Sequence, residues 1–143
     1  MTGAVGRLRA AGLRCTPARQ GVLHALTAHR GRGHLTATQI HQALQEQGLV
    51  VELSTVHRVL AQLVDLGEAH TVPVAGVATY GLADQPHHHA VCVSCGMMRQ
   101  LAVETVQSTI TAARAAGLDV DPGGRHGGVV VYGRCEQCRV GAP

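Results

Sequence analysis

Ser54-Thr55-Val56-His57-Arg58-Val59-Leu60-Ala61-Gln62-Leu63 decides the fold. Val56, Val59, Leu60 and Leu63 recur at i, i+3, i+4 and i+7, which is the spacing of an amphipathic helix. Ser54 reads as its N-cap and Gly67 as its stop, and Thr55, His57, Arg58 and Gln62 are left on the outward face. The period then changes to that of strands. Ala69 to Val74 and Val77 to Leu82 are parted only by Ala75-Gly76, which predicts a β-hairpin, and Pro73 confines its strand to a sheet edge. Upstream, Gly6 to Gly12 reads as a short helix carrying Arg7 and Arg9. Thr16-Pro17 opens a second helix through Val22, Leu23 and Leu26, ended by Gly31-Arg32-Gly33. Thr36-Ala37-Thr38-Gln39 has the form of a capping box, opening a helix with Ile40 and Leu44 inward. Short helices followed by a hairpin make a winged helix-turn-helix, in which the Ser54 helix enters the major groove with the wing beside it.

Charge follows the same division. The chain has 143 residues and a net charge of +3, and all 12 of its basic residues are arginine. Up to Val64 seven arginines face two acids, whereas beyond it five face seven. A basic front half around a helix-turn-helix points to contact with DNA phosphates. With no Trp or Phe and 2 Tyr, the core has to be built from Leu, Val, Ile and Ala. No apolar run approaches membrane-spanning length and the N-terminus lacks a signal-peptide core, so a cytoplasmic protein with no membrane partner is expected.

The back half carries a second kind of chemistry. His87-His88-His89-Ala90-Val91-Cys92-Val93-Ser94-Cys95 places three imidazoles and two thiols in one run, and Cys135 and Cys138 repeat the two-residue thiol spacing. Two such knuckles complete a closed tetrahedral thiolate shell, so Cys92, Cys95, Cys135 and Cys138 are read as a structural zinc site. A disulfide framework or redox pair fits less well, because the cysteine count of 5 is odd and no secretory signal precedes it. If His87 to Val91 is extended, His87 and His89 share one face and His88 takes the other. An imidazole shell without thiolates exchanges its ion more readily and suits zinc or nickel.

Asp84-Gln85-Pro86 reads as a hinge. Beyond it, strands are expected at His87 to Val93, Met98 to Val103 and Val129 to Tyr132, with a helix from Glu104 to Ala116. The expected fold class is α+β: a winged helix-turn-helix over residues 1–83, a hinge at 84–86, and a small C-terminal α/β lobe at 87–143 of a kind that commonly pairs.

Four motifs in this order resemble those of the ferric uptake regulator superfamily of metal-responsive repressors. They are Leu13-Arg14-Cys15-Thr16-Pro17-Ala18-Arg19, Leu53-Ser54-Thr55-Val56-His57-Arg58-Val59-Leu60, His87 to Gly96, and Tyr132-Gly133-Arg134-Cys135-Glu136-Gln137-Cys138. The resemblance implies a homodimer whose C-terminal lobes pair and whose winged domains grip an inverted repeat in AT-rich double-stranded DNA. It implies a sensory metal site at His34, His87 and His89, an auxiliary site at His88 and His126, and DNA contacts from Arg14, Arg19, Ser54, Thr55, His57 and Arg58. Two departures stand out. Gly81 occupies the position where the family usually has a carboxylate or another ligand, leaving water, Asp84 or a mobile histidine as the fourth donor. His57 replaces the family's tyrosine on the recognition helix. A histidine-dominated shell favours zinc, then nickel, over iron or manganese, and argues against a peroxide sensor.

Other classes fare worse. A zinc hydrolase needs an open coordination position and a paired general base, and neither the thiolate shell nor the histidine run supplies them, so no small organic substrate is expected. A metal-storage protein has no need of a basic winged helix. His24, His29 and His41 are read as surface residues and Cys15 as a packed one, while His70, at the base of the wing, is open to a role as an extra ligand, with a structural role favoured.

Overall fold

The computed structural model describes residues 2–85, 87–120 and 128–141. Pro86 of the expected hinge and His126 of the expected auxiliary site lie outside them. The helices α1 (Thr2–Ala10), α2 (Pro17–Ala28), α3 (Ala37–Glu46) and α4 (Leu53–Asp65) enclose the larger core. Two of them begin as their sequences dictate. Thr16 Oγ1 accepts from the Arg19 backbone N–H at 3.3 Å, with Pro17 opening α2. At α3, Thr36 Oγ1 accepts from the Gln39 N–H at 3.1 Å while Gln39 Oε1 accepts from the Thr36 N–H at 2.8 Å, a complete capping box.

The start of α4 departs from expectation. Glu52 holds the cap position without a side-chain cap, and Ser54 lies inside the first turn. Leu53 packs half-buried against the core, so apolar burial draws the helix start ahead of the residue whose hydroxyl would have capped it. Below this turn Val56, Leu60 and Leu63 are fully buried against Val22, Leu23, Ile40, Leu44 and Leu8. The core is aliphatic throughout, as the composition demands, and each buried Leu or Val contributes about 1.5–3 kcal/mol.

Strands β2 (Ala69–Val74) and β3 (Val77–Leu82) form the expected wing, in register from Val74↔Val77 to Ala69↔Leu82. Ala75 and Gly76 both take positive φ, +50° and +78°, the geometry that lets a two-residue loop follow the strand twist. Pro73 is on the edge strand, since the order is β1-β3-β2. The short strand β1 (Leu35–Thr36) was not anticipated; it pairs Leu35 with Tyr80 and so holds His34 against β3.

The second sheet has the order β5-β4-β6, from β4 (His88–Cys92), β5 (Met98–Leu101) and β6 (Val130–Gly133). β4 runs antiparallel to β5 and parallel to β6, and the parallel pair needs a crossover. That connection carries a 3-10 turn (Val103–Val106) followed by α5 (Gln107–Ala115), where one continuous helix was expected. A short α6 (Glu136–Val140) follows β6. The lobes also meet directly: the Tyr132 hydroxyl donates to the Pro73 carbonyl on the open edge of β2 at 2.7 Å.

Leu60→Ala should lower stability by about 2–5 kcal/mol in urea unfolding followed by circular dichroism. Val50→Ala, at a side chain 93% exposed, should change it by less than about 0.5 kcal/mol.

Candidate metal centres and nucleic-acid interface

The two knuckles converge. Cys92 ends β4, and Gly96 at φ +76° closes the turn that carries Cys95. Cys135 caps α6, and Cys138 lies within that helix. The four sulfurs lie within 4.8 Å of one another, with Cys95 Sγ 3.8 Å from Cys135 Sγ. A tetrahedral zinc with arms of about 2.3 Å has edges of about 3.8 Å, so the donor set fits that ion. The Cys135 N–H donates to Cys92 Sγ at 3.3 Å and holds the Cys92 thiol down at about 6. Cys138 is pushed up to about 12 by hydrogen bonding with the Cys135 and then the Cys95 thiol. Four sulfurs this close do not all release their protons without a cation among them.

The second cluster is assembled from three separate segments. His34 precedes β1, His70 lies on β2, and His87 and His89 come from the start of β4. Each offers a ring nitrogen within 4.8 Å of the others. His70 Nε2 is 3.0 Å from His34 Nε2 and 3.3 Å from His89 Nε2. Tetrahedral zinc with nitrogen arms of about 2.0–2.1 Å has edges of about 3.3 Å, so this set fits as well. Burial, followed by the neighbouring His70 and His89 rings, lowers His34 to about 2; burial and then His89 lower His70 to about 3. Both rings are therefore neutral at physiological pH, the form that coordinates metal.

Surrounding groups fix which nitrogen faces inward. His87 Nδ1 is 2.7 Å from the Gln85 carbonyl, which can only accept, so Nδ1 carries the proton. Its Nε2 is buried without a hydrogen-bond partner in the protein. Thr79 gives its hydroxyl proton to the Val72 carbonyl at 2.5 Å, so its oxygen accepts from His34 Nδ1 at 3.4 Å. The His34 Nε2 lone pair then points at the cluster.

Three sequence readings change here. His70, read as structural, is 1% exposed and stands in the middle of the cluster. Its signal was available: the two-residue hairpin loop sets the register that puts His70 directly across from Gly81. Asp84, one candidate for the fourth donor, is committed to an ion pair with Arg30. His88 is fully buried on the other face of β4, where its Nδ1 accepts from the Val129 N–H at 2.9 Å. That bond puts the proton on Nε2, so the ring ties β4 to β6 and presents no lone pair there.

The recognition helix exposes Ser54, His57 and Arg58, with Arg58 Nη2 donating to Thr55 Oγ1 at 3.2 Å. Arg14 is also exposed. Arg19 has a different position: Nε and Nη2 donate to Gln62 Oε1 at 3.2 and 2.9 Å, and Nη1 donates to the Arg14 carbonyl at 2.6 Å. It braces the start of α2 against α4, setting the angle at which α4 is presented.

Residues 10–119 match the ferric uptake regulator family. The "ferric uptake regulation protein" of Legionella pneumophila is 34% identical over 138 residues, covering 93% of this chain and 96% of that one. The solved structure of the ferric uptake regulator from Pseudomonas aeruginosa with manganese is similar at a TM-score of 0.71 and 30% identity, over 92% of this chain and 96% of that one. A zinc uptake regulator complexed with zinc and DNA is similar at a TM-score of 0.64 and 25% identity, over 97% and 92%.

Cobalt added to the full chain should give a sulfur-to-metal charge-transfer band from the thiolate centre. Cys135→Ser should weaken that band and loosen the second sheet, seen as faster amide exchange in β4 and β6. An unchanged band would place the cobalt elsewhere.

Proposed function

The chain belongs to the ferric uptake regulator family of transcription regulators, which are not enzymes, and we propose that it is a zinc-responsive repressor. The observation that carries this reading is the four-imidazole shell of His34, His70, His87 and His89, which lacks an oxygen donor. Imidazole nitrogen suits zinc, whereas iron and manganese take more oxygen. Nickel is the second reading, because it too accepts imidazole.

The mechanism follows from where the ligands lie. His34 and His70 belong to the winged-helix part, and His87 and His89 to the C-terminal lobe that follows β3. Bound zinc, held by their inward nitrogens, supplies the bond between the two parts and favours one orientation of α4. The four histidines would converge on one ion only in some arrangements of the two parts, so those arrangements would be the ones that binding favours. In this reading Cys92, Cys95, Cys135 and Cys138 hold a permanent structural zinc.

The repressor acts as a cytoplasmic homodimer on an inverted repeat in AT-rich DNA. Support for pairing comes from β6, an edge strand with Val131 and Tyr132 about half exposed. Ser54, Thr55, His57 and Arg58 meet the groove, and Arg14 meets a phosphate. The aliphatic wing and basic front half serve this task and no hydrolytic one.

Fluorescence anisotropy on duplex DNA from the chain's own promoter region tests the reading. Zinc should tighten binding by a coupling of about 1–3 kcal/mol, equivalent to about 5–150-fold, and His34→Ala or His70→Ala should abolish the gain. A variant that responds to zinc as the unaltered chain does would refute the bridging role. A larger gain with ferrous iron than with zinc would overturn the choice of ion.

A further inference from the structure

Gly81 stands on β3 directly opposite His70. A Cβ placed there would lie 2.5 Å from His34 Cδ2 and nearer still to Nε2. No real carbon approaches a ring so closely, so any side chain at this position displaces the imidazole. The ring is held by its neighbours: the same Nε2 lies 3.0 Å from His70 Nε2, the His89 ring stands at a centroid distance of 4.8 Å, and Nδ1 is held by Thr79. Nor is glycine there for backbone freedom, since Gly81 is absent from the positive-φ residues. Its role is to leave space.

We propose that Gly81 is the selectivity determinant of the histidine shell. Lacking a side chain, it admits the His34 imidazole, and the fourth donor then comes from His70 across the ladder. The resulting all-nitrogen shell takes a tetrahedral borderline ion and excludes ions that need oxygen. Thr79, two residues earlier on the same face of β3, is a positioning residue: its acceptor oxygen keeps His34 Nε2 bare. This inference rests on the reading of the shell as a zinc site, and the experiment separates the two.

Zinc and manganese affinities are measured without DNA by competition against a chromophoric chelator, on full chains whose thiolate centre is already filled. Circular dichroism and the one equivalent of zinc retained by that centre report folding. His34→Ala should lose tight zinc binding, and Gly81→Ala should lose as much while keeping its fold. Placing a carboxylate in the vacated space, His34→Ala with Gly81→Glu, should cut the preference for zinc over manganese by roughly tenfold or more. Thr79→Val should weaken zinc binding by about 10–100-fold, and Thr79→Ser, which keeps the acceptor, should restore it. If His34→Ala still binds zinc tightly, the zinc-site reading falls and this inference with it. If His34→Ala loses zinc while folded Gly81→Ala keeps it with unchanged preference, the inference alone is overturned. Equal loss in Thr79→Val and Thr79→Ser would overturn the part assigned to Thr79.

Discussion

Four imidazoles drawn to one point between two sheets are the constraint on which the rest depends. His70 and His89 are almost completely buried, and polar rings are costly to bury without partners. Two of the rings are held on their outer side, His34 by Thr79 and His87 by the Gln85 carbonyl. The inner nitrogens face one another, an arrangement that a cation stabilises and that its loss leaves weak. The contact between wing and lobe thus runs through four side chains that could hold a metal ion.

The surrounding elements hold these four side chains in place. β1 is only Leu35–Thr36, yet its pairing with β3 places His34 beside Gly81. β2 carries His70 inward and, through the Pro73 carbonyl, receives the Tyr132 hydroxyl on its outer edge. Tyr132 lies three residues before Cys135, so the thiolate knuckle and the wing touch through a second, metal-independent contact. On the opposite side of the winged domain, Arg19 locks α2 to α4 through Gln62.

Much of this was legible in the sequence. The i, i+3, i+4, i+7 pattern of α4, the Thr16 and Thr36 caps and the Ala75-Gly76 hairpin are local signals, and each produced the element expected of it. Alternation along β4 separated His88 from His87 and His89 as expected. The failures have physical causes as well. Ser54 lost its capping role because burial of Leu53 outweighed a hydroxyl preference. His70 reads as structural in the sequence because its place in the cluster depends on a cross-strand pairing with Gly81, which only the hairpin register sets. The position lacking a side chain thus faces a fourth imidazole across the ladder.

Zinc-edge X-ray absorption on the full chain, with one and then two equivalents of zinc, tests the central claim most directly. The account predicts a four-sulfur shell for the first equivalent. The second should add four imidazole nitrogens at about 2.0 Å, with the outer-shell scattering of intact rings. A second zinc bound by oxygen donors, or by fewer than four imidazoles, would contradict it.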